Sequence, residues 1–161
     1  MFQIDIDSQA VLTALARLQQ ATSNMSPAMA NIAQALASES ERQFQTETGP
    51  GGKWPDLSDT TKMLRERMGK WPGKKLQLSA GGLAASVQTG HDGQSAWIGS
   101  NKPYAAMHQF GGKTSPQSMI PNKAIPARPF LPFDATGTLS SNAQDTIMEI
   151  IQAHLESAIN R

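Results

Sequence analysis

Apolar and polar positions change period several times along the chain, and each change marks an element. Phe2, Ile4 and Ile6 alternate with Gln3, Asp5 and Asp7, the pattern of a short half-buried strand suited to a sheet edge. From Ser8, whose hydroxyl can cap a helix, Val11, Leu12, Leu15 and Leu18 with Ala14 recur at helical spacing until Thr22-Ser23-Asn24 interrupts them. Ser26 before Pro27 predicts a second helix, because serine caps exposed N–H groups and proline at the first helical position has none to lose. That helix is expected to reach Thr46. Met29, Ile32, Ala33, Leu36, Ala37 and Phe44 form its apolar stripe, and Ser38, Glu39, Glu41, Arg42 and Gln45 are expected to face water.

Gly49-Pro50-Gly51-Gly52 stops it. Trp54 follows in a turn, where it either plugs a core edge or anchors an interface. Ser58 offers a cap for a short helix over 59–68, with Asp59 in its first turn and Arg65 and Arg67 near its end, as the helix dipole favours. Residues 84–89 read as a helical turn entering a strand, and His91-Asp92-Gly93 then supplies the turn of a hairpin returning through Ser95 to Gly99. Pro103 opens a short helix carrying Tyr104, Ala105, Met107 and His108, closed by Gly111-Gly112. The strand and helix from Trp97 to Phe110 are expected to be scaffold, with their aromatic side chains in the core.

Residues 113–124 have no usable period and read as a long loop or β-arm, mobile in the free protein. Prolines at 126, 129 and 132 then keep IPARPFLPF extended. Its Phe130, Leu131 and Phe133 can be buried while Arg128 reaches sideways, either to a neighbour or to its own domain. A last helix begins near Leu139 or Ser140 and runs to Ile159, with Ala143, Ile147, Ile150, Ile151, His154, Leu155 and Ala158 on one face. The expected class is α+β: one domain over 1–161, a small antiparallel sheet packed against N-terminal helices and a long C-terminal helix, with an extended proline-rich arm at 113–128.

A chain of 161 residues can bury such a core without cross-links, and it contains no cysteine, which excludes disulfides, a thiol nucleophile and cysteine-bound metal. No apolar run approaches the roughly 20 residues of a membrane span, and the N-terminus has no signal-peptide pattern, so a soluble, unexported protein is expected. The net charge of +1 conceals a division: residues 1–52 carry two basic against five acidic side chains, and residues 53–75 carry seven basic against three acidic. Such a basic segment attracts phosphate, an acidic partner or the acidic part of another copy, although a solvated helix and loop is its ordinary outcome. Lys62 to Lys75 around Trp71 supply the alternative reading of a nucleic-acid-binding module.

Candidate chemistry changes little. His91, His108 and His154 fall in three different elements without metal-ligand spacing, and no nucleophile elbow, Walker sequence or dinucleotide fingerprint occurs. A hydrolase would need a site assembled wholly by folding. The expectation is a protein without catalysis, cofactor or metal.

The order of several motifs is more telling: an amphipathic helix ending near Phe44, GPGGKWPDLSDTT from Gly49, a basic helix with Arg65 and Arg67, LQLSAGGLAASV from Leu76, WIGSNKPYAAMHQFGG from Trp97, and IPARPFL from Ile125. This series resembles the phage virion morphogenesis family, the tail completion proteins of tailed bacteriophages, including those of Mu-like and P2-like prophages. The resemblance spans about residues 25–159. It implies a non-enzymatic virion component that finishes a tail and joins it to the head, in a homo-oligomeric ring with other tail and neck proteins as partners. It involves no membrane, and DNA contact is possible but not required.

The family pattern falls on Trp54, Leu57, Thr61, Gly82, Leu83, Gly99, Tyr104, Ala105, His108, Gln109, Gly111, and Ala127 through Leu131, which includes Pro129 and Phe130. The serine- and proline-containing insert KTSPQSMIPNK departs from the charged insert of relatives. Candidate contact residues are Lys70, Trp71, Lys74, Lys75, Ile120 and Arg128.

Overall fold

In the computed structural model, which describes residues 8–118 and 120–160, two helices follow one another almost without a break, α1 (Ser8–Ser23) and α2 (Ser26–Thr46). The alternating segment from Phe2 to Asp7 lies outside the described residues. The start of α2 differs slightly from expectation: Met25 occupies the cap position, and Pro27 still sits in the first turn. Helix α5 (Ser141–Ile159) begins where Ser140 accepts a bond from Ala143 N, and it spans the α1–α2 junction. Arg17 Nη1 donates to Ile159 O, His154 Nε2 lies 3.3 Å from Ala21 O, and Asn142 Nδ2 donates to Glu39 Oε2. These pairings run α5 antiparallel to both α1 and α2.

The strands form three separate two-stranded antiparallel pairs instead of one sheet. Thr48–Gly49 (β1) turns back on Gly52–Lys53 (β2). Val87–His91 (β3) pairs with Ala96–Ser100 (β4) in the expected hairpin, where Asp92 Oδ1 accepts from Gln94 N and Ser95 N. This hairpin rests on α2. The expected arm is folded back on itself, with Gly112–Lys113 (β5) paired to Ala124–Ile125 (β6). Between the pairs lie α3 (Asp59–Arg67), capped by Ser58 as anticipated, a 3-10 turn at Ala84–Ser86, and α4 (Ala105–Phe110). The class is α+β.

Two packing regions share α2. Ala28, Ile32, Ala33 and Leu36 are buried along its length, and the small alanines allow close approach by neighbouring elements. At its C-terminal end Phe44, Trp54, Leu83, Ala105, Phe130 and Leu131 form the central cluster. Phe44 meets Trp54 edge-on at 5.7 Å and Phe130 at 5.5 Å, favourable separations for aromatic pairs.

Three sequence expectations need correction. Glu39 is buried, not solvated, because Arg42 and Asn142 both bind its carboxylate. Trp97, Tyr104 and Phe110 do not fill the core; Trp97 is 56% exposed and the other two are also open to solvent. The Trp97 ring lies across its hairpin partner Gly90, where a Cβ would stand 2.1 Å from it, and so covers the strand pair instead of entering the core. Val11, Leu12 and Leu15 are exposed as well, since the pairing of Arg17 with Ile159 carries the first turns of α1 past the end of α5.

Candidate functional site

The extended segment from Arg128 to Phe133 runs through the centre of the molecule, and proline-rich chain cannot satisfy itself by helix or ladder. Four side chains from three other segments, with backbone groups of two more residues, satisfy it instead. Trp54 Nε1 donates to Pro129 O at 2.8 Å, and Ser40 Oγ donates to Phe130 O at 2.6 Å. Gln109, only 2% exposed, accepts from Phe130 N and Leu131 N through one oxygen and donates to Phe133 O through its nitrogen. Gln43 Nε2, turned to donate, lies 3.0 Å from Phe130 O and 3.2 Å from Leu131 O. Ser140 N closes on Pro132 O, and Arg128 N donates to His108 O.

Arg128 belongs to this strap. It is buried, and its guanidinium donates to Pro55 O at 2.8 Å and Asp56 O at 2.7 Å. Of the two roles open to it in the sequence, the geometry supplies the tie to its own domain. Gly49 and Gly111 let the strap pass: a Cβ on Gly49 would stand 2.5 Å from Pro129 O, and one on Gly111 would stand 2.8 Å from Ala127 N. Gly111 also has φ +72°, a region that side-chain-bearing residues avoid. Gly99 meets no such restriction, since nothing lies within 4 Å of a Cβ there.

The basic segment is similarly engaged within the chain. Lys75 is buried, and its Nζ pairs with Glu47 Oε2 at 2.7 Å while its backbone N–H donates to Oε1. Hydrogen bonds to Lys75 hold the Glu47 carboxyl below the usual range against the opposing effect of burial, which is the largest single influence on it. Lys74 Nζ donates to Gln45 O, and Lys70 Nζ lies 3.5 Å from Leu78 O. Lys62 pairs with Asp56 and stands 5.8 Å from the ring of half-buried Trp71. The cluster expected to greet a partner therefore does much of its bonding to its own fold.

An open groove of about 570 Å³ lies beside the strap, between α3, the 76–83 segment, α4 and the β5–β6 hairpin. Leu78, Tyr104 and Ile120 stand exposed at it, whereas Arg65 and Arg128 are buried in its lining. Arg65 Nη1 donates to Lys74 O, but its buried Nε has no hydrogen-bond partner, nor has His108 Nδ1. Burial, and secondarily the Arg128 charge, push the His108 pKa below its ordinary value. Tyr104 packs edge-on against this imidazole at 5.9 Å. Among the described residues no group of three His, Cys, Asp or Glu side chains is placed to hold a metal, and no helix is long and apolar enough to cross a membrane.

Several motif residues hold their own chain together, beneath Trp97, Tyr104 and Phe110, which face outward. The chain belongs to the phage virion morphogenesis family, whose model matches residues 6–156, and it is therefore a phage structural or assembly protein associated with the virion. It is 34% identical over 160 residues to Mu-like prophage FluMu G protein 2 of Haemophilus influenzae, covering 99% of each chain. It is 35% identical over 133 residues to the putative capsid assembly protein G of Escherichia phage Mu, covering 81% of this chain and 79% of that one. No solved structure matches.

Sequence reasoning missed the amide clamp as a mechanism. Gln109 stood within the family motif, but nothing in periodicity distinguishes a buried glutamine that binds three backbone groups from an exposed one. Gln43 and Ser40, on the inner face of α2, carried no signal beyond their spacing from Leu36 and Phe44.

Proposed function

We propose that the protein completes the phage tail and joins it to the head, acting through non-catalytic assembly as a ring of identical subunits with other tail and neck proteins. The observation that carries this reading is the exposed apolar surface at both ends of a well-satisfied core. Trp97, Tyr104, Phe110 and Ile120 lie open around the hairpin and groove, and Val11, Leu12 and Leu15 lie open on α1. Large apolar side chains left open in this number suit contact with another protein. The strap supports the same reading, because a core held by many side-chain-to-backbone bonds keeps its outer faces in fixed positions while they dock.

The nucleic-acid reading gains little from the geometry. Lys75 is buried against Glu47, and Lys62, Lys70 and Lys74 all have partners within the chain.

Induction of the host phage or prophage with this gene deleted tests the proposal by electron microscopy. The expected lysate contains filled heads and separate tails that fail to join, and adding purified protein restores joined particles. Normal joined particles without the protein would contradict the assignment.

A further inference from the structure

Two helices of this chain expose faces of opposite charge, each beside open apolar side chains. Helix α3 turns buried Arg65 inward, where its Nη1 donates to Lys74 O. At about 100° per residue, Met63 and Arg67 point almost directly away from Arg65, with Leu64 beside them. Met63 is 52% and Leu64 51% exposed, and the Arg67 guanidinium rests on the Met63 sulfur. Asp59 and Glu66 fall on the flank of α3 that carries Lys62, which stands 3.9 Å from Asp59. The outward face is therefore apolar with a positive charge, and exposed Lys70 in the turn that follows adds another.

Helix α5 presents the converse. Its Ala143 is buried where the helix packs on α1 and α2, and Asp145, Glu149, Gln152 and Glu156 recur at helical spacing on the opposite side, all exposed. The helix contains no lysine or arginine. Glu156 accepts from Gln152, whereas the carboxylates of Asp145 and Glu149 have no partner among the described residues. Met148 borders this stripe and, at 64%, is the most exposed large apolar side chain among the described residues.

From this complementarity we infer that the α5 face of one copy docks on the α3 face of the next, a head-to-tail contact between copies of this chain. The inference rests on the ring reading and supplies that ring with its joint. Met148 against Met63 and Leu64 forms the apolar centre, where flexible thioether side chains adapt to one another. Asp145 and Glu149 meet Arg67 and Lys70 around it. Exposed ion pairs add little affinity by themselves. Their part is to set the register and to exclude α3 on α3 or α5 on α5, in which like charges meet. Because the two faces are different surfaces, each copy keeps one of each after pairing, and the joint repeats until a ring closes.

The test uses full-length chains, with light scattering to read assembly and circular dichroism to check folding. An acid-face variant (Asp145→Lys with Glu149→Lys) and a basic-face variant (Arg67→Glu with Lys70→Glu) are each expected to self-associate at least tenfold more weakly than the natural chain. An equal mixture of the two is expected to recover association, since natural α3 then meets natural α5 and the two reversed faces meet each other. One chain carrying all four substitutions should also associate with itself, yet fail to join the natural chain.

Variants that associate as the natural chain does overturn the inference and leave the ring intact. Association lost in both variants but recovered neither in the mixture nor in the fourfold variant also overturns it, because the two faces then do not meet each other. A natural chain that stays monomeric even with its tail partners counts against the ring and removes this joint with it.

Discussion

Gln109 shows how much one side chain can contribute to this fold. It is buried beneath the strap and completes two N–H groups and one carbonyl of residues 130–133. Leaving a buried polar group unsatisfied costs about 1–3 kcal/mol. Gln109→Ala is therefore expected to lower stability by about 3 kcal/mol or more, read from the midpoint of urea denaturation; a loss below about 1 kcal/mol would contradict the clamp. Trp54→Phe removes one bond to Pro129 O but keeps an aromatic ring against Phe44, so a smaller loss of about 1 kcal/mol is expected.

His108 adds a pH dependence with a definite sign. Burial and the nearby Arg128 charge lower its folded pKa below the ordinary value of 6.5. Above that value both folded and unfolded chains carry neutral imidazole, and this stabilisation is complete. As pH falls below it, the unfolded chain takes up a proton first, and stability declines until folded His108 also protonates. Thermal midpoints are expected to fall between about pH 7.5 and 5.5, with a shallower fall for His108→Gln. An unchanged slope would remove His108 as the cause.

Among the elements, the strap from Arg128 to Phe133 joins α2, α4 and the turn after β2. Gly111→Ala tests its passage: the new Cβ would press within 2.8 Å of Ala127 N at φ +72°. The expected cost is about 1–3 kcal/mol, measured by denaturation, and neutrality would show that the strap yields without loss. Glu39 ties α2 to α5 through Asn142, and its carboxyl is held below the usual range chiefly by its bonds to Arg42. Its contribution is present above the unfolded pKa near 4.5 and is lost as pH falls through the lower folded value. Glu39→Gln should reduce the acid sensitivity of unfolding in that window.

The elements legible in the sequence were those with a repeating signal. Helical spacing placed α1, α2 and α5, Ser58 and Ser140 marked caps, and Asp92-Gly93 marked the β3–β4 turn. Two-residue pairs such as β1–β2 and β5–β6 are too short to carry an alternation. The fate of Lys75, Arg128 and Glu39 was also hidden, because a charged side chain is buried only when a distant partner meets it. The exposure of Trp97, Tyr104 and Phe110 was missed for a different reason: aromatic residues are ordinarily core, and composition does not distinguish a core from a contact surface.

As a whole, the molecule has a firm centre and two different apolar ends, the overhanging turns of α1 and the groove beside α3 and α4. Under the proposed function these surfaces are where other subunits and virion proteins dock. Imaging of intact particles carrying an electron-dense label on the C-terminus tests this account most directly. The account predicts several copies arranged around the axis at the head–tail junction. Label scattered over the capsid surface, or absent from finished particles, would contradict it.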